Sequence, residues 1–152
     1  MHIVLVEPEI PQNTGNIART CALTGTALHL VKPLGFSLAD RYLKRAGLDY
    51  WDQVQVLLWN TFDDIKAAYQ GANFYFATTK AKRLYTEVAY QPQDFIVLGS
   101  ETRGLPAAML QEYEEHTIRV PMRNLGRSLN LANTAAILLY EALRQQGFPQ
   151  LG

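Results

Sequence analysis

The segment Gly99-Ser100-Glu101-Thr102-Arg103-Gly104-Leu105-Pro106 sets a glutamate and an arginine between two glycines. Glycines let backbone amides approach a ligand closely, and the flanking charges can orient it. The plainer alternative is a strand-to-helix turn whose glycines satisfy positive φ. Pro121-Met122-Arg123-Asn124-Leu125-Gly126-Arg127-Ser128-Leu129-Asn130 has the same two readings, with Ser128 a candidate helix cap and Asn130 a second polar group at the same helix mouth. Near the N-terminus, Asn13, Asn16 and Arg19 follow one another at three-residue intervals. Other chemistries lack their signatures. No G-x-G-x-x-G follows the first apolar run, and no Walker A motif occurs. His2, His29 and His116 never fall at metal-ligand spacing, so no metal is expected. A Ser-His-Asp triad needs a histidine in a strand-end loop, whereas His2 and His29 fall inside predicted strands and His116 just enters one. Cys21 stands alone, four residues after Ile17 on an expected buried face, and reads as a core thiol.

These residues need a scaffold, and the pattern of apolar runs supplies one. Strands are predicted at His2–Val6, Ala27–Val31, Val54–Leu58, Phe74–Thr78, Phe95–Leu98 and Thr117–Val120. Most are nearly continuous apolar runs, as expected of strands buried on both faces of a parallel sheet. Helical stretches alternate with them. One runs from Thr14 to Thr24 and ends at Gly25; another opens at Thr61, with Asp64 three residues on, and is followed by Gly71. Pro106 suits the first turn of a short helix, and a last helix runs from Ser128 to Gln146 before Gly147 and Pro149. The predicted architecture is a single α/β domain with a mostly parallel sheet and helices on both faces. Ligands of such sheets collect at the carboxyl ends of the strands, where the polar, glycine-bearing loops fall.

Composition bounds the partners. The 152 residues are 48% hydrophobic and 18% charged, with 14 Lys+Arg balancing 14 Asp+Glu. Zero net charge excludes wholesale electrostatic attraction, so a nucleic acid would have to be held by local clusters: Arg41, Lys44 and Arg45; Lys80, Lys82 and Arg83; Arg123 and Arg127. No apolar run approaches the roughly 20 residues of a membrane span. With a single cysteine and no basic, apolar leader, a soluble cytoplasmic protein without membrane attachment is expected.

Taken together, three motifs resemble the SPOUT (SpoU–TrmD) methyltransferase class, and within it the SpoU-type RNA ribose 2′-O-methyltransferases. They are Asn13-Thr14-Gly15-Asn16-Ile17-Ala18-Arg19, Leu98 to Pro106, and Ile118-Arg119-Val120-Pro121-Met122 running on to Ser128-Leu129-Asn130-Leu131-Ala132-Asn133. Glu7-Pro8-Glu9-Ile10-Pro11 and Lys44-Arg45-Ala46-Gly47-Leu48-Asp49-Tyr50-Trp51 further resemble the minimal YibK/TrmL subgroup, tRNA (cytidine/uridine-2′-O-)-methyltransferases of the wobble position. The likeness covers essentially the whole chain.

The resemblance implies a C-terminal deep trefoil knot, which general topology rules would have argued against. It implies S-adenosylmethionine as methyl donor, held at Ala77, Thr78, Gly99, Glu101, Val120, Met122, Ser128 and Leu129. It assigns Arg19 to the ribose hydroxyl, with Asn13 and Asn16 beside it, and gives Glu101, Ser128 and Asn130 to orienting Arg19 or the ribose. Arg19 has two open roles, proton removal or a clamp on the neighbouring phosphate, since a neutral guanidinium is costly at pH 7. The implied substrate is the tRNA anticodon stem-loop, with leucine isoacceptors expected. The implied assembly is a homodimer through the first and last helices; with no separate RNA-binding extension expected, a second subunit would complete the RNA surface. The last helix supports this reading with apolar Leu131, Ala135, Leu138, Leu139, Ala142 and Leu143, more than one core stripe needs. The rival readings are a non-catalytic RNA-binding or assembly module on the same fold, 2′-O-methylation of rRNA, and an enzyme for another nucleotide ligand.

Overall fold

The run His2–Val6, apolar after its first residue, forms β1, an interior strand of the sheet. The computed structural model describes the backbone of residues 1–152 and every side chain except those of residues 46–49, the middle of the Lys44–Trp51 signature. β2 (Ala27–Val31) and β5 (Phe95–Leu98) flank β1, both parallel to it, with Ile3 opposite Leu28 on one side and Ile96 on the other. β3 (Val56–Trp59), β4 (Phe74–Ala77) and β6 (Thr117–Ile118) complete a six-stranded sheet in the order β3-β2-β1-β5-β4-β6, every pairing parallel. The chain builds outward from β1 to β3, then crosses to the other half. The switch in direction therefore falls between β1 and β5, where α/β sheets open a crevice at their carboxyl ends.

Side chains alternate along each strand, so one sheet feeds two cores. Ile3, Leu5, Leu28, Leu30, Ile96 and Leu98 point to one face, where they meet Ile17, Ala18 and Cys21 of α1 (Pro11–Thr24) and Ala135, Leu138, Leu139, Ala142 and Leu143 of α5 (Leu131–Gln145). Val4, Val6, Phe76, Phe95 and Val97 point to the other face, under Phe62 and Ile65 of α3 (Phe62–Ala68) and Met109 and Leu110 of α4 (Ala107–Glu112). α2 (Arg41–Trp51) lies along α1. Cys21 is buried as expected, and burial pushes its thiol up to about 12, so it stays protonated at physiological pH. The apolar positions of α5 that suggested a subunit contact are taken up by this chain's own core: Ala135, Leu138, Leu139, Ala142 and Leu143 are all buried.

Local chemistry sets the element ends, and in several places differs from the sequence expectation. α1 starts at Pro11 rather than Thr14, because proline's fixed φ and missing N–H fit the first helical position. It stops at Gly25, left-handed at φ +66, as expected. The Thr61–Asp64 capping box forms in both directions: Asp64 N–H donates to Thr61 Oγ1 at 3.2 Å and Thr61 N–H to Asp64 Oδ2 at 3.0 Å. α5 begins at Leu131, not Ser128, and Asn130 caps it by accepting from Asn133 N–H at 3.1 Å. Ser128 therefore lies outside the helix. β3 runs Val56–Trp59, leaving Val54 as a buried loop residue. β4 ends at Ala77 and β6 at Ile118, so Thr78 and Val120 fall beyond the strands, at the site edge. α2 was not anticipated; its signal is Asp40, whose carboxylate caps Tyr42 N–H at 2.7 Å.

On the α3 face, His2 and His29 form a chain of hydrogen bonds. Trp59 Nε1–H donates to His29 Nδ1 at 3.0 Å, which leaves the proton of a neutral His29 on Nε2. His29 Nε2 lies 3.0 Å from His2 Nδ1, and His2 Nε2 lies 3.1 Å from Gln93 Oε1. The protons thus run in one direction through two neutral rings. Burial lowers the affinity of both rings for a further proton, and pushes His29 down to about 4.

Candidate active site

At the carboxyl ends of β1, β5, β4 and β6 the loops enclose a cleft of about 810 Å³. Ala77 and Thr78 enter it from the end of β4, Gly99 and Glu101 from the loop after β5, and Val120 and Met122 from the segment after β6. Ser128, Leu129 and Asn130 close it from the approach to α5, and Asn13 from the first turn of α1. Of the residues the sequence assigned to the site, Arg19 and Asn16 are not among those lining the cleft. Both are exposed on α1.

The floor of the cleft depends on a turn that only glycine permits. Ser100 and Gly104 pair across a tight loop, Gly104 N–H donating to Ser100 O at 2.9 Å, with Gly104 at φ +68. This folds residues 104–105 back over Gly99. A Cβ on Gly99 would stand 2.0 Å from the Gly104 carbonyl carbon and 2.2 Å from Leu105 N. Any side chain at Gly99 would therefore collide with this chain's own backbone before it could reach a ligand.

The three motifs meet through hydrogen bonds. Glu101 Oε2 accepts from Glu9 N–H at 2.7 Å and Oε1 from Ile10 N–H at 3.1 Å, both at the entry to α1. Amides at a helix start lack intrahelical partners, and the dipole there favours an anion, so the carboxylate completes α1 from a distant loop. Glu101 Oε1 also accepts from Asn13 Nδ2 at 3.4 Å, while Asn13 Oδ1 accepts from Asn130 Nδ2 at 3.0 Å. Asn130 uses its own oxygen to cap α5. Glu101, Asn13 and Asn130 are thus engaged with one another and the backbone, and none of them hydrogen-bonds Arg19.

A second set of contacts, not foreseen from the sequence, straps the same loops together. Glu7 adopts φ +52 where the chain leaves β1, and its carboxylate lies 3.6 Å from Arg103 Nη2. Thr102 Oγ1 donates to both Glu9 oxygens, at 2.7 and 2.9 Å. The Thr102 hydroxyl, then that of Ser100, holds the Glu9 carboxyl below the usual carboxylate range. The available signal was two glutamates spaced by one residue directly after a buried strand. Their partners over ninety positions away were not legible.

Arg19 points its guanidinium over the ring of Tyr50 in α2, with Cζ 5.0 Å from the centroid. Among the described residues no group of histidine, cysteine, aspartate and glutamate is placed to hold a metal ion. Among them, too, no helix is long and apolar enough to cross a membrane.

The chain is similar to known proteins over nearly its whole length. A model of the SpoU rRNA Methylase family matches residues 1–140. A protein of Methylovorus glucosotrophus named tRNA (cytidine(34)-2′-O)-methyltransferase is 52% identical over 147 residues, 96% of each chain. A solved structure concerned with 2′-OH methylation of C/U34 on tRNA superposes with a TM-score of 0.91 at 42% identity, covering 96% of this chain and 95% of that one. An AdoMet-bound rRNA methyltransferase from Sinorhizobium meliloti superposes with a TM-score of 0.83 at 25% identity, over 94% of this chain and 55% of that one.

Proposed function

Since the chain belongs to the SpoU rRNA Methylase family, we propose that it transfers a methyl group from S-adenosylmethionine to the ribose 2′-hydroxyl of the wobble nucleotide, cytidine or modified uridine, of tRNA. The observation that carries this reading is the convergence of all three motifs on one cleft, tied by Glu101, Asn13 and Asn130. The substrate follows the names of the relatives that align over nearly the full chain.

The residues present fit the cofactor. A cleft of about 810 Å³ lies in the range of small-molecule sites. Ala77, Val120, Met122 and Leu129 offer apolar surface for a purine, and the tight 99–105 turn brings backbone amides to its edge. When bound, S-adenosylmethionine supplies a sulfonium methyl already activated for displacement, so the protein must only position the ribose and manage one weakly acidic proton. Glu101 and Asn130 contribute by fixing Asn13 and the mouths of α1 and α5. Ser128, outside the helix and at the cleft, is free to meet the ribose. Arg19 serves either as the group that takes the hydroxyl proton or as a clamp on the adjacent phosphate.

We further propose a homodimer, a C-terminal trefoil knot, a cytoplasmic location and a single domain. The exposed apolar residues Leu23, Leu125 and Tyr140, none of which lines the cleft, support the dimer. An Arg19 that lines no part of its own cleft fits a surface completed by a second copy. RNA contact falls to the exposed bases Arg41, Lys44 and Arg45 of α2 and to Arg123 and Arg127.

The decisive experiment incubates the protein with labelled S-adenosylmethionine and unfractionated tRNA, then locates the methyl group by nuclease digestion. A 2′-O-methylated nucleotide at the wobble position is expected. Label in rRNA alone, or cofactor bound with no transfer, would replace this reading by one of its rivals.

A further inference from the structure

We infer that Tyr50 is the positioning residue for Arg19: its ring holds the guanidinium by one face so that the N–H edge is presented to the RNA. The inference rests on the reading in which Arg19 acts on the ribose or its phosphate.

A guanidinium can be anchored in two ways, by its edge or by its face. An edge anchored on a carboxylate has spent the donors that would bind phosphate. Arg144 is of this kind, with Nε and Nη2 at 2.8 and 3.0 Å from the two oxygens of Glu141. Arg103 faces Glu7. Arg41 lies with Cζ 4.8 Å from the ring of Tyr42, but its Nη2 donates to the Tyr42 hydroxyl at 2.9 Å, so its edge is partly engaged too. Arg19 differs. Its Cζ is 5.0 Å from the Tyr50 centroid, and among the described residues no carboxylate pairs with it and no acceptor takes its N–H groups. The electron-rich face of a tyrosine attracts a cation without using its N–H donors.

The elements make this placement specific. Arg19 lies on the exposed side of α1, and Tyr50 sits in the last turn of α2, which packs along α1. A long, unsupported arginine would lose rotamer freedom on meeting RNA, whereas a planar group already held over a ring has less to lose per hydrogen bond formed. Arg19 is therefore oriented before RNA arrives, and α2 is the element that orients it.

The test combines two substitutions at Tyr50 with Arg19→Ala. Tyr50→Leu keeps an apolar side chain without the π face and should lower kcat/KM for tRNA about two- to fivefold, the range for one exposed cation–π contact. S-adenosylmethionine affinity and melting temperature should stay near wild type, and Tyr50→Phe should restore full kcat/KM. In the Arg19→Ala background, Tyr50→Leu should cause no further loss, because the residue it positions is gone. Three results would overturn the inference: an undiminished Tyr50→Leu effect without Arg19, a Tyr50→Phe variant as impaired as Tyr50→Leu, or a Tyr50→Leu enzyme equal to wild type while Arg19→Ala is slow. Arg19→Ala turning over tRNA at the wild-type rate would instead remove the underlying role of Arg19, and this inference with it.

Discussion

Substituting Glu101 by glutamine separates a carboxylate that builds the site from one that takes part in the reaction. The side chain accepts Glu9 N–H at 2.7 Å, Ile10 N–H at 3.1 Å and Asn13 Nδ2 at 3.4 Å. Glutamine has one oxygen, so whichever backbone N–H loses its acceptor must face an NH2 group instead. A hydrogen bond to a charged acceptor contributes about 1.5–3 kcal/mol, and an anion at a helix start adds about 0.3–1. Because Glu101 is half-exposed, water recovers part of this, and a net loss of about 2 kcal/mol is expected. For a chain of this length that lowers Tm by roughly 4–8 °C. Differential scanning calorimetry reads the shift, and turnover measured well below the lowered Tm should fall with it, since the start of α1 that carries Asn13 loses an anchor. Glu101→Asp restores the charge without the reach, and should recover only part of the Tm. A Glu101→Gln protein that melts with wild type yet transfers no methyl would refute the anchoring argument and place the carboxylate in the chemistry.

Four further outcomes follow from the same geometry. Arg19→Ala should keep S-adenosylmethionine affinity, measured by calorimetry, while methyl transfer to tRNA drops by roughly 10²–10⁴; transfer at the wild-type rate contradicts the assignment. Gly99→Ala should impair both cofactor binding and thermal stability, because its Cβ would overlap the 104–105 backbone; normal binding and melting would show that the turn can relax. Asn130→Asp should retain the α5 cap but not the donor to Asn13, keeping most of the roughly 1 kcal/mol that Asn130→Ala loses at the cap; equal stability of the two variants excludes the capping role. His29 binds a proton at about 6.5 when unfolded and about 4 when folded, so its contribution is complete above pH 6.5 and is lost as pH falls to 4. At about 1.36 kcal/mol per unit the loss is about 3 kcal/mol. Denaturant unfolding of wild type should fall by that much more than His29→Leu between pH 7 and pH 4, and parallel losses would count against the neutral chain.

What the sequence made legible follows the range of the interactions involved. β1, β2 and β5 were delimited to the residue because nearly continuous apolar runs, interrupted only by His2 and His29, end sharply at polar residues or glycine. The Thr61–Asp64 box was visible because both partners lie within one turn. Strand order was not, since it depends on contacts between distant segments. The cleft residues Asn13, Gly99, Glu101 and Asn130 were picked out by type, but their mutual bonds span 88 and 117 positions and leave no local trace. Arg19 is a different case. Six residues at about 100° each put it about 120° around the helix from Asn13, so its absence from the cleft was already implicit in the spacing. Motif membership groups the two residues, whereas helix face separates them within one chain.

The bonds that tie Asn13 to Glu101 and to Asn130 also govern when the site can come into being. Chain segments near residues 13, 77, 99, 120 and 130 must all be present before the cleft is lined. Closing contacts of such long sequence separation lowers chain entropy before any of them is repaid, which slows folding in proportion to contact order. During synthesis, β1 and α1 leave the ribosome long before their polar partners exist, and Asn13 can be satisfied only by water. The nascent protein therefore has no complete cleft until α5 docks on the sheet.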